Sequence, residues 1–182
     1  MRVRTGPPAT SAAAERSVLG RLLSFPDPVN EVSARLVAAG VVLMTAATLA
    51  LDLRWMTGVL AYGFLARVLS GPTLSPLGQL VTRVVTPLLP VAPRPVPGPP
   101  KRFAQGVGLV FTGAALTLTV TGHWDVARVV LGVLIVPALL ESALGFCLGC
   151  QAFALLMRVG VIPTEVCERC NNINLPAPAD AA

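Results

Sequence analysis

Four apolar runs alternate with short polar connections along the chain. Each run approaches the roughly 20 residues that an α-helix needs to cross the ~30 Å hydrocarbon core of a bilayer. The connections "DLR" (52–54) and "HWD" (123–125) are short enough to indicate tight helical hairpins. The pattern therefore predicts an all-α polytopic membrane protein with about four transmembrane helices, at residues 32–51, 55–71, 104–122 and 126–146.

Two segments between the second and third runs do not suit a membrane crossing. In "PTLSPLGQLVTRVVTPLLP" (72–90), apolar residues recur at helical spacing, but Arg83 interrupts them and prolines bound the stretch. We expect an amphipathic helix at the membrane surface; if the segment is buried instead, the number of spans becomes odd. The five prolines of "VAPRPVPGPPKRF" (91–103) predict an extended, polyproline-like connector.

The last apolar run, from Val126 to Met157, is too long for one span. As a single helix it would measure about 48 Å, which exceeds the hydrocarbon core. We therefore place a break near Gly145–Cys150, predict a kink at Pro137, and assign 150–163 to an interfacial segment.

Residues 1–31 are polar and rich in Arg, Ala, Ser and Pro. No apolar segment follows their first charges, so they do not form a signal peptide. The chain then divides into three parts: a disordered cytoplasmic N-terminus (1–24), a four-helix transmembrane domain (25–160), and a cytoplasmic, cysteine-containing tail (161–182).

Composition supports an integral membrane protein in contact with the lipid bilayer. The chain is 54% hydrophobic and only 13% charged, about half the charged fraction of a soluble domain. Its net charge of +5 comes from arginines spread between the apolar runs, so no nucleic-acid partner is expected. Of the 14 basic residues, only Arg54 and Arg128 fall on one side of a four-span topology. The positive-inside rule therefore predicts cytoplasmic N- and C-termini in a bacterial inner membrane.

All four cysteines lie in two C-x2-C pairs, Cys147 with Cys150 and Cys167 with Cys170. The pairs are separated by a spacing typical of four-thiolate zinc sites. One pair alone also suits thiol redox chemistry or sulfur transfer, because cysteines at i and i+3 share one helix face. Structural disulfides are rare in a reducing cytoplasm. Since cysteine is also a common buried small residue, the pattern leaves redox, metal and packing roles open.

Glu141 lies within the fourth predicted span, nearly two turns before Cys147. A carboxylate at that depth is costly, and it is by default a hypothesis for a functional site. It would be protonated, paired with an arginine from another span, or hydrogen-bonded to Ser or Thr. Together with Pro137 and the small residues of the third span, Glu141 leaves a small-solute transporter as a further hypothesis.

Several stretches of the chain resemble one family. They are "DPVNEVSARLVA" (27–38), "LSPLGQL" (74–80), "GPPKRFAQGVG" (98–108) and "LESALGFCLGCQAFALL" (140–156). Over roughly residues 25–160 the chain is similar to the bacterial membrane family called domain of unknown function 4395. The resemblance implies a multi-pass membrane protein in which the family's cysteine pair matches Cys147 and Cys150 and its preceding acid matches Glu141. It also implies an association with thioredoxin-like or rhodanese-type partners.

These observations lead to three functional hypotheses. The first is a thiol-dependent inner-membrane protein in which Cys147 and Cys150 react and Glu141 assists them. The second is a membrane scaffold in which all four cysteines, including Cys167 and Cys170, hold a structural zinc ion. The third is the transporter that depends on Glu141. Zinc is the one cofactor that the sequence suggests, and only in the second case.

Overall fold

The computed structural model describes residues 25–163 and residue 166. The predicted N-terminal segment 1–24, most of the predicted tail 161–182, and the second cysteine pair (Cys167 and Cys170) lie outside the described residues.

The described part of the chain is almost entirely helical, which confirms the all-α prediction. A single pairing of two-residue strands accompanies the helices. In chain order the elements are β1 (Val29–Asn30), α1 (Glu31–Ala50), α2 (Met56–Ser70), α3 (Pro76–Leu80), a first π-helical segment (Val81–Val85), α4 (Thr86–Leu88), β2 (Pro95–Val96), α5 (Gly98–Val120), α6 (Trp124–Leu139), a second π-helical segment (Leu140–Leu144) and α7 (Leu148–Arg158).

Three helices are long and apolar enough to cross a membrane. They are Glu31–Ala50, Gly98–Val120 and Trp124–Leu144, the last counted through the second π-helical segment. The helix α2 has 15 residues, which is about 22 Å and shorter than a typical hydrocarbon core. All four predicted apolar runs therefore form helices, and the second is too short to cross a typical bilayer as a straight helix.

The helix α5 lies at the centre of the bundle and contacts α2, α6 and α7, while α1 packs against α6. Close approach of α2 and α5 depends on Gly108, because a Cβ atom at that position would lie 2.1 Å from the ring of Phe64. Many apolar side chains point away from the bundle, including Leu43, Val110 and Val129. An apolar outer surface on apolar helices is the arrangement that lipid requires.

The two ends of the bundle differ in charge. At one end, which we call the hairpin end, the turns at 51–55 and 121–123 meet, and Trp124 Nε1 donates a hydrogen bond to Asp52 Oδ1 at 2.7 Å. At the other, which we call the cysteine end, Arg35 donates to the carbonyl oxygens of Ser142 and Ala143. Of the basic residues that the structure describes, Arg54 and Arg128 lie at the hairpin end, and the following lie toward the cysteine end: Arg35, Arg67, Arg83, Arg94, Lys101, Arg102 and Arg158.

The predicted extended connector at 91–103 is wrong in its second half. Its first half is extended, and Pro95–Val96 pairs antiparallel with Val29–Asn30. The helix α5 begins at Gly98, six residues before the predicted start of the third span. Prolines at 99 and 100 are compatible with this start, because the first N–H groups of a helix have no intrahelical acceptor to lose. The earlier start places Lys101 in the first turn of α5.

The segment at 76–88, predicted to be an amphipathic helix at the membrane surface, packs along α1 and is shorter than a typical span. Its position relative to a membrane stays a prediction. Leu77 lies against Gly40, and the hydroxyls of Ser33 and Thr86 are 3.0 Å apart. The segment therefore runs antiparallel to α1, because its beginning contacts Gly40 and its end contacts Ser33, which comes earlier in α1.

The last apolar run breaks at the predicted place. The second π-helical segment ends at Leu144, and Gly145 adopts the left-handed conformation with φ of 69°, which favours glycine. The helix α7 then begins at Leu148, two residues before the predicted interfacial segment at 150–163, and it carries Cys150 back toward the start of α5.

Candidate functional site

The first cysteine pair forms the N-terminus of α7. Cys147 is the residue that caps the helix, and its Sγ accepts a hydrogen bond from the backbone N–H of Cys150 at 3.3 Å. Capping places the side chains of the cap residue and of the third helical residue next to each other. Cys147 is buried and Cys150 is half-buried, and neither is in a disulfide. The spacing i, i+3 therefore brings two thiols together, with Cys150 the more accessible.

The pKa values of the two thiols are shifted in opposite directions. Donating a hydrogen bond to Cys150 and being buried both raise the pKa of Cys147. Accepting that hydrogen bond lowers the pKa of Cys150; burial opposes this effect, and the positive charge of Lys101 supports it. The pair therefore ionises first at Cys150, with Cys147 as the neighbouring donor.

A buried ion pair lies beside the thiols. Lys101 Nζ is 2.5 Å from Glu141 Oε1, and each side chain is only 12% exposed. The other carboxylate oxygen, Glu141 Oε2, is buried and has no hydrogen-bond partner among the residues that the structure describes. Buried ions are tolerated when paired, but a buried acceptor without a donor is rare and needs an explanation.

Local backbone features position both ions. Lys101 reaches the site because α5 begins at Gly98, six residues earlier than the sequence suggested. Glu141 is the second residue of the π-helical segment Leu140–Leu144, which begins three residues after Pro137. A proline removes one N–H from the helical ladder, and short π-helical segments are frequent at functional sites. The change of helix type begins three residues after Pro137, where a kink was predicted.

A cavity of about 540 Å³ adjoins the ion pair and Cys147. Apolar side chains make most of its wall, and they come from α1, α2, α5, α6 and α7, among them Val37, Phe64, Phe111, Val133 and Leu134. Its size lies within the range of small-molecule sites in proteins, about 300–1,000 Å³. The site therefore has an apolar chamber on one side and the more exposed Cys150 on another.

The structure brings together three of the predicted site residues, Glu141, Cys147 and Cys150. Glu141 is paired with Lys101 and not with an arginine, a serine or a threonine. Lys101 is the one residue of this cluster that was not predicted from the sequence. One signal was available, since Lys101 is the sole lysine among 14 basic residues, and a single departure from arginine suggests a requirement specific to lysine.

The described residues contain no group of three or more His, Cys, Asp or Glu side chains placed to hold a metal ion. Cys147 and Cys150 supply at most two of the four thiolates of a structural zinc site. The four-cysteine zinc hypothesis therefore depends on Cys167 and Cys170, which lie outside the described residues.

Comparison with known proteins identifies the family. The model of the family named Domain of unknown function (DUF4395) matches residues 29–158. The chain is a member of DUF4395. The predicted resemblance is confirmed, and the matched range contains Lys101, Glu141, Cys147 and Cys150 but neither Cys167 nor Cys170. No curated protein and no solved structure matches this DUF4395 chain.

Proposed function

We propose that this DUF4395 protein exchanges thiols and disulfides through Cys147 and Cys150 at one end of a membrane-embedded bundle. The observation that supports this most is the pairing of two thiols of opposite acidity beside the Lys101–Glu141 ion pair. A dithiol reacts well when one sulfur ionises readily and the other is held next to it.

The proposed exchange begins at Cys150. Its thiolate attacks one sulfur of a partner's disulfide, and the partner's other sulfur leaves as a thiolate. Cys147 then loses its proton and attacks Cys150, so that a Cys147–Cys150 disulfide forms and the second partner sulfur leaves. The steps are reversible, and a partner dithiol reduces the new disulfide by the same route. Lys101 contributes by stabilising negative charge at Cys150.

The proposed partner is a thioredoxin-like protein in the cytoplasm. Both termini are proposed to be cytoplasmic, in a bacterial inner membrane, because basic residues are concentrated toward the cysteine end. A rhodanese-type partner would instead pass a sulfane sulfur to the Cys150 thiolate, which needs the same low pKa. Half-burial of Cys150 leaves room for a partner sulfur to approach.

The experiment uses oxidised glutathione as the probe, with anaerobic protein in detergent and a Cys167→Ser/Cys170→Ser background. The parent should release two glutathione thiols per chain and form one Cys147–Cys150 disulfide. The Cys147→Ser variant should stop at a mixed disulfide on Cys150, because the resolving thiol is absent. The Cys150→Ser variant should react at least about tenfold more slowly, since Cys147 is buried and ionises poorly.

Mass spectrometry of the intact and digested chains distinguishes these products. Equal rates for the two single variants, or no disulfide in the parent, would rule out the proposal. Zinc content measured on the full chain before the reaction addresses the scaffold hypothesis. About one zinc ion per chain, with thiols masked until a chelator is added, would replace the redox proposal by a structural one.

The transporter hypothesis has one observation in its favour, the unpartnered Glu141 Oε2 at the wall of the cavity. A transporter would lose activity on Glu141→Gln and keep it when all four cysteines are replaced by serine. A dithiol protein shows the opposite requirement for its cysteines.

A further inference from the structure

Thiol exchange at Cys150 does not need the apolar cavity next to the dithiol, so the cavity has no role in the function proposed above. It extends along α5 from Lys101 to Phe111, which is about 15 Å or half the thickness of a hydrocarbon core. Two residues of its wall, Val107 and Val136, are exposed. The chamber therefore begins at the ion pair and is open to the surroundings of the bundle along an apolar wall.

The polar end of the cavity presents a hydrogen-bond acceptor beside the Cys147 thiol. Glu141 is 9% exposed, lines the cavity, and leaves Oε2 without a partner among the described residues. Lys101 is already bound to Oε1, so the pair has no net charge to attract an anionic headgroup. A neutral ligand with a hydroxyl group and an apolar body satisfies both the carboxylate oxygen and the apolar wall.

A thiol also lines the polar end of the cavity. Cys147 lines the same cavity as Glu141, whereas its partner Cys150 is not part of the cavity wall and is half-buried. A dithiol gives up two electrons and two protons when it becomes a disulfide. The occupant should therefore be a lipophilic molecule that takes up two electrons and two protons and gains hydroxyl groups as it does so. Such a molecule matches the apolar wall, the carboxylate and the dithiol.

We propose that the cavity binds a membrane-soluble quinone, which oxidises the Cys147–Cys150 dithiol. In this step two S–H bonds break and one S–S bond forms, while the two quinone carbonyl oxygens receive two electrons and two protons and become hydroxyl groups. Glu141 accepts a hydrogen bond from the resulting hydroquinone at Oε2. This inference rests on the proposed dithiol exchange and extends it, so that electrons from a cytoplasmic thiol pass to the membrane.

The experiment compares two oxidants on the anaerobically reduced full chain in lipid nanodiscs. One is decylubiquinone, which is lipophilic, and the other is diamide, a small water-soluble thiol oxidant. We expect both to produce one Cys147–Cys150 disulfide, and we expect one decylubiquinone to be reduced per chain. The loss of quinone absorbance is followed together with the number of titratable thiols.

A cavity-filling variant with a matched control locates the reaction. Ala38 lines the cavity and Ala46 is exposed two turns further along α1, so Ala38→Leu and Ala46→Leu add the same atoms in different places. Ala38→Leu should slow oxidation by decylubiquinone at least about tenfold, a change of about 1.4 kcal/mol in the barrier. It should leave the diamide rate unchanged, and Ala46→Leu should leave both rates unchanged.

The outcomes separate the two proposals. If diamide produces no Cys147–Cys150 disulfide, the dithiol proposal fails, and the quinone inference fails with it. If diamide works but decylubiquinone does not, only the quinone inference is overturned, and a lipid acyl chain that copurifies in the cavity would identify the occupant. If decylubiquinone oxidises the parent and Ala38→Leu equally fast, the reaction occurs outside the cavity, which also overturns the inference.

Discussion

The hairpin end and the cysteine end both contain acid–base pairs, but the pairs differ in their surroundings. At the hairpin end, Asp52 lies 3.9–4.0 Å from Arg54 and Arg128, and these side chains are about half exposed. At the cysteine end, Lys101 and Glu141 are 2.5 Å apart and each is 12% exposed. Exposed pairs contribute little to stability, whereas the loss of one partner of a buried pair leaves an uncompensated charge. The comparison therefore agrees with placing the proposed thiol chemistry at the cysteine end.

The largest effect is expected from Lys101→Met. This change leaves Glu141 buried beside an apolar side chain, and we expect a loss of about 3–5 kcal/mol in the free energy of unfolding. Arg102→Met is the matched control, because Arg102 is an exposed neighbour in the same turn of α5, and it should cost less than about 1 kcal/mol. Denaturant unfolding of the chain in detergent measures both.

A second variant identifies burial as the cause. Adding Glu141→Leu to Lys101→Met removes both charges, so most of the stability should return. If Lys101→Met and Arg102→Met destabilise the chain equally, the two ends do not differ as proposed.

The next effect concerns the contact that holds α7 against α5. A Cβ atom at Gly149 would lie 2.5 Å from Ala104 Cβ and 2.7 Å from its Cα. Gly149→Ala therefore forces the helices apart, and overpacking of this kind costs about 1–3 kcal/mol. It should also slow the reaction of Cys150 with oxidised glutathione, since α7 carries the dithiol away from Lys101.

Gly132→Ala is the control for Gly149→Ala. Gly132 is also helical, but a Cβ atom there would meet nothing within 4 Å, so alanine should be neutral or stabilise the chain by about 0.5–1 kcal/mol. Thermal unfolding and glutathione kinetics on both variants test the contact. An unchanged Gly149→Ala chain would mean that α7 is not packed closely on α5.

A third prediction concerns the dependence of thiol reactivity on pH. Because the pKa of Cys150 is lowered, its alkylation by iodoacetamide should persist to lower pH than that of a cysteine in the unfolded chain. Cys147→Ala removes the thiol that donates the main hydrogen bond, so the alkylation midpoint should move to higher pH. Lys101→Met removes a smaller contribution and should move the midpoint less in the same direction.

Quantitative mass spectrometry of the alkylated peptide gives these midpoints. The Cys167→Ser/Cys170→Ser background isolates the pair, and denatured protein supplies the reference. If the midpoint in the folded chain equals or exceeds that of the denatured chain, Cys150 is not the ionised member of the pair.

The sequence was sufficient to predict the helices and the approximate place where the last run breaks, because apolar length and glycine punctuation act locally. It was not sufficient to predict that α5 starts at Gly98. Prolines favour an extended connector, but they are also accepted in the first turn of a helix. The local sequence around Pro99 and Pro100 therefore fits either structure. The partner of Glu141 followed from that start, since Lys101 lies 40 positions earlier in the chain and reaches the acid only through tertiary packing.

The smallest effect is expected at the hairpin end, from Asp52→Asn. Asparagine tolerates the positive φ of 56° at this position, and its carbonyl oxygen can still accept the hydrogen bond from Trp124 Nε1. Only the attraction to Arg54 and Arg128 is lost, so we expect a cost below about 1 kcal/mol. High salt should abolish the difference from the parent, because the charges are exposed to screening. The loss caused by Lys101→Met should persist in the same salt; a salt-independent cost for Asp52→Asn would instead place buried electrostatics at both ends of the bundle.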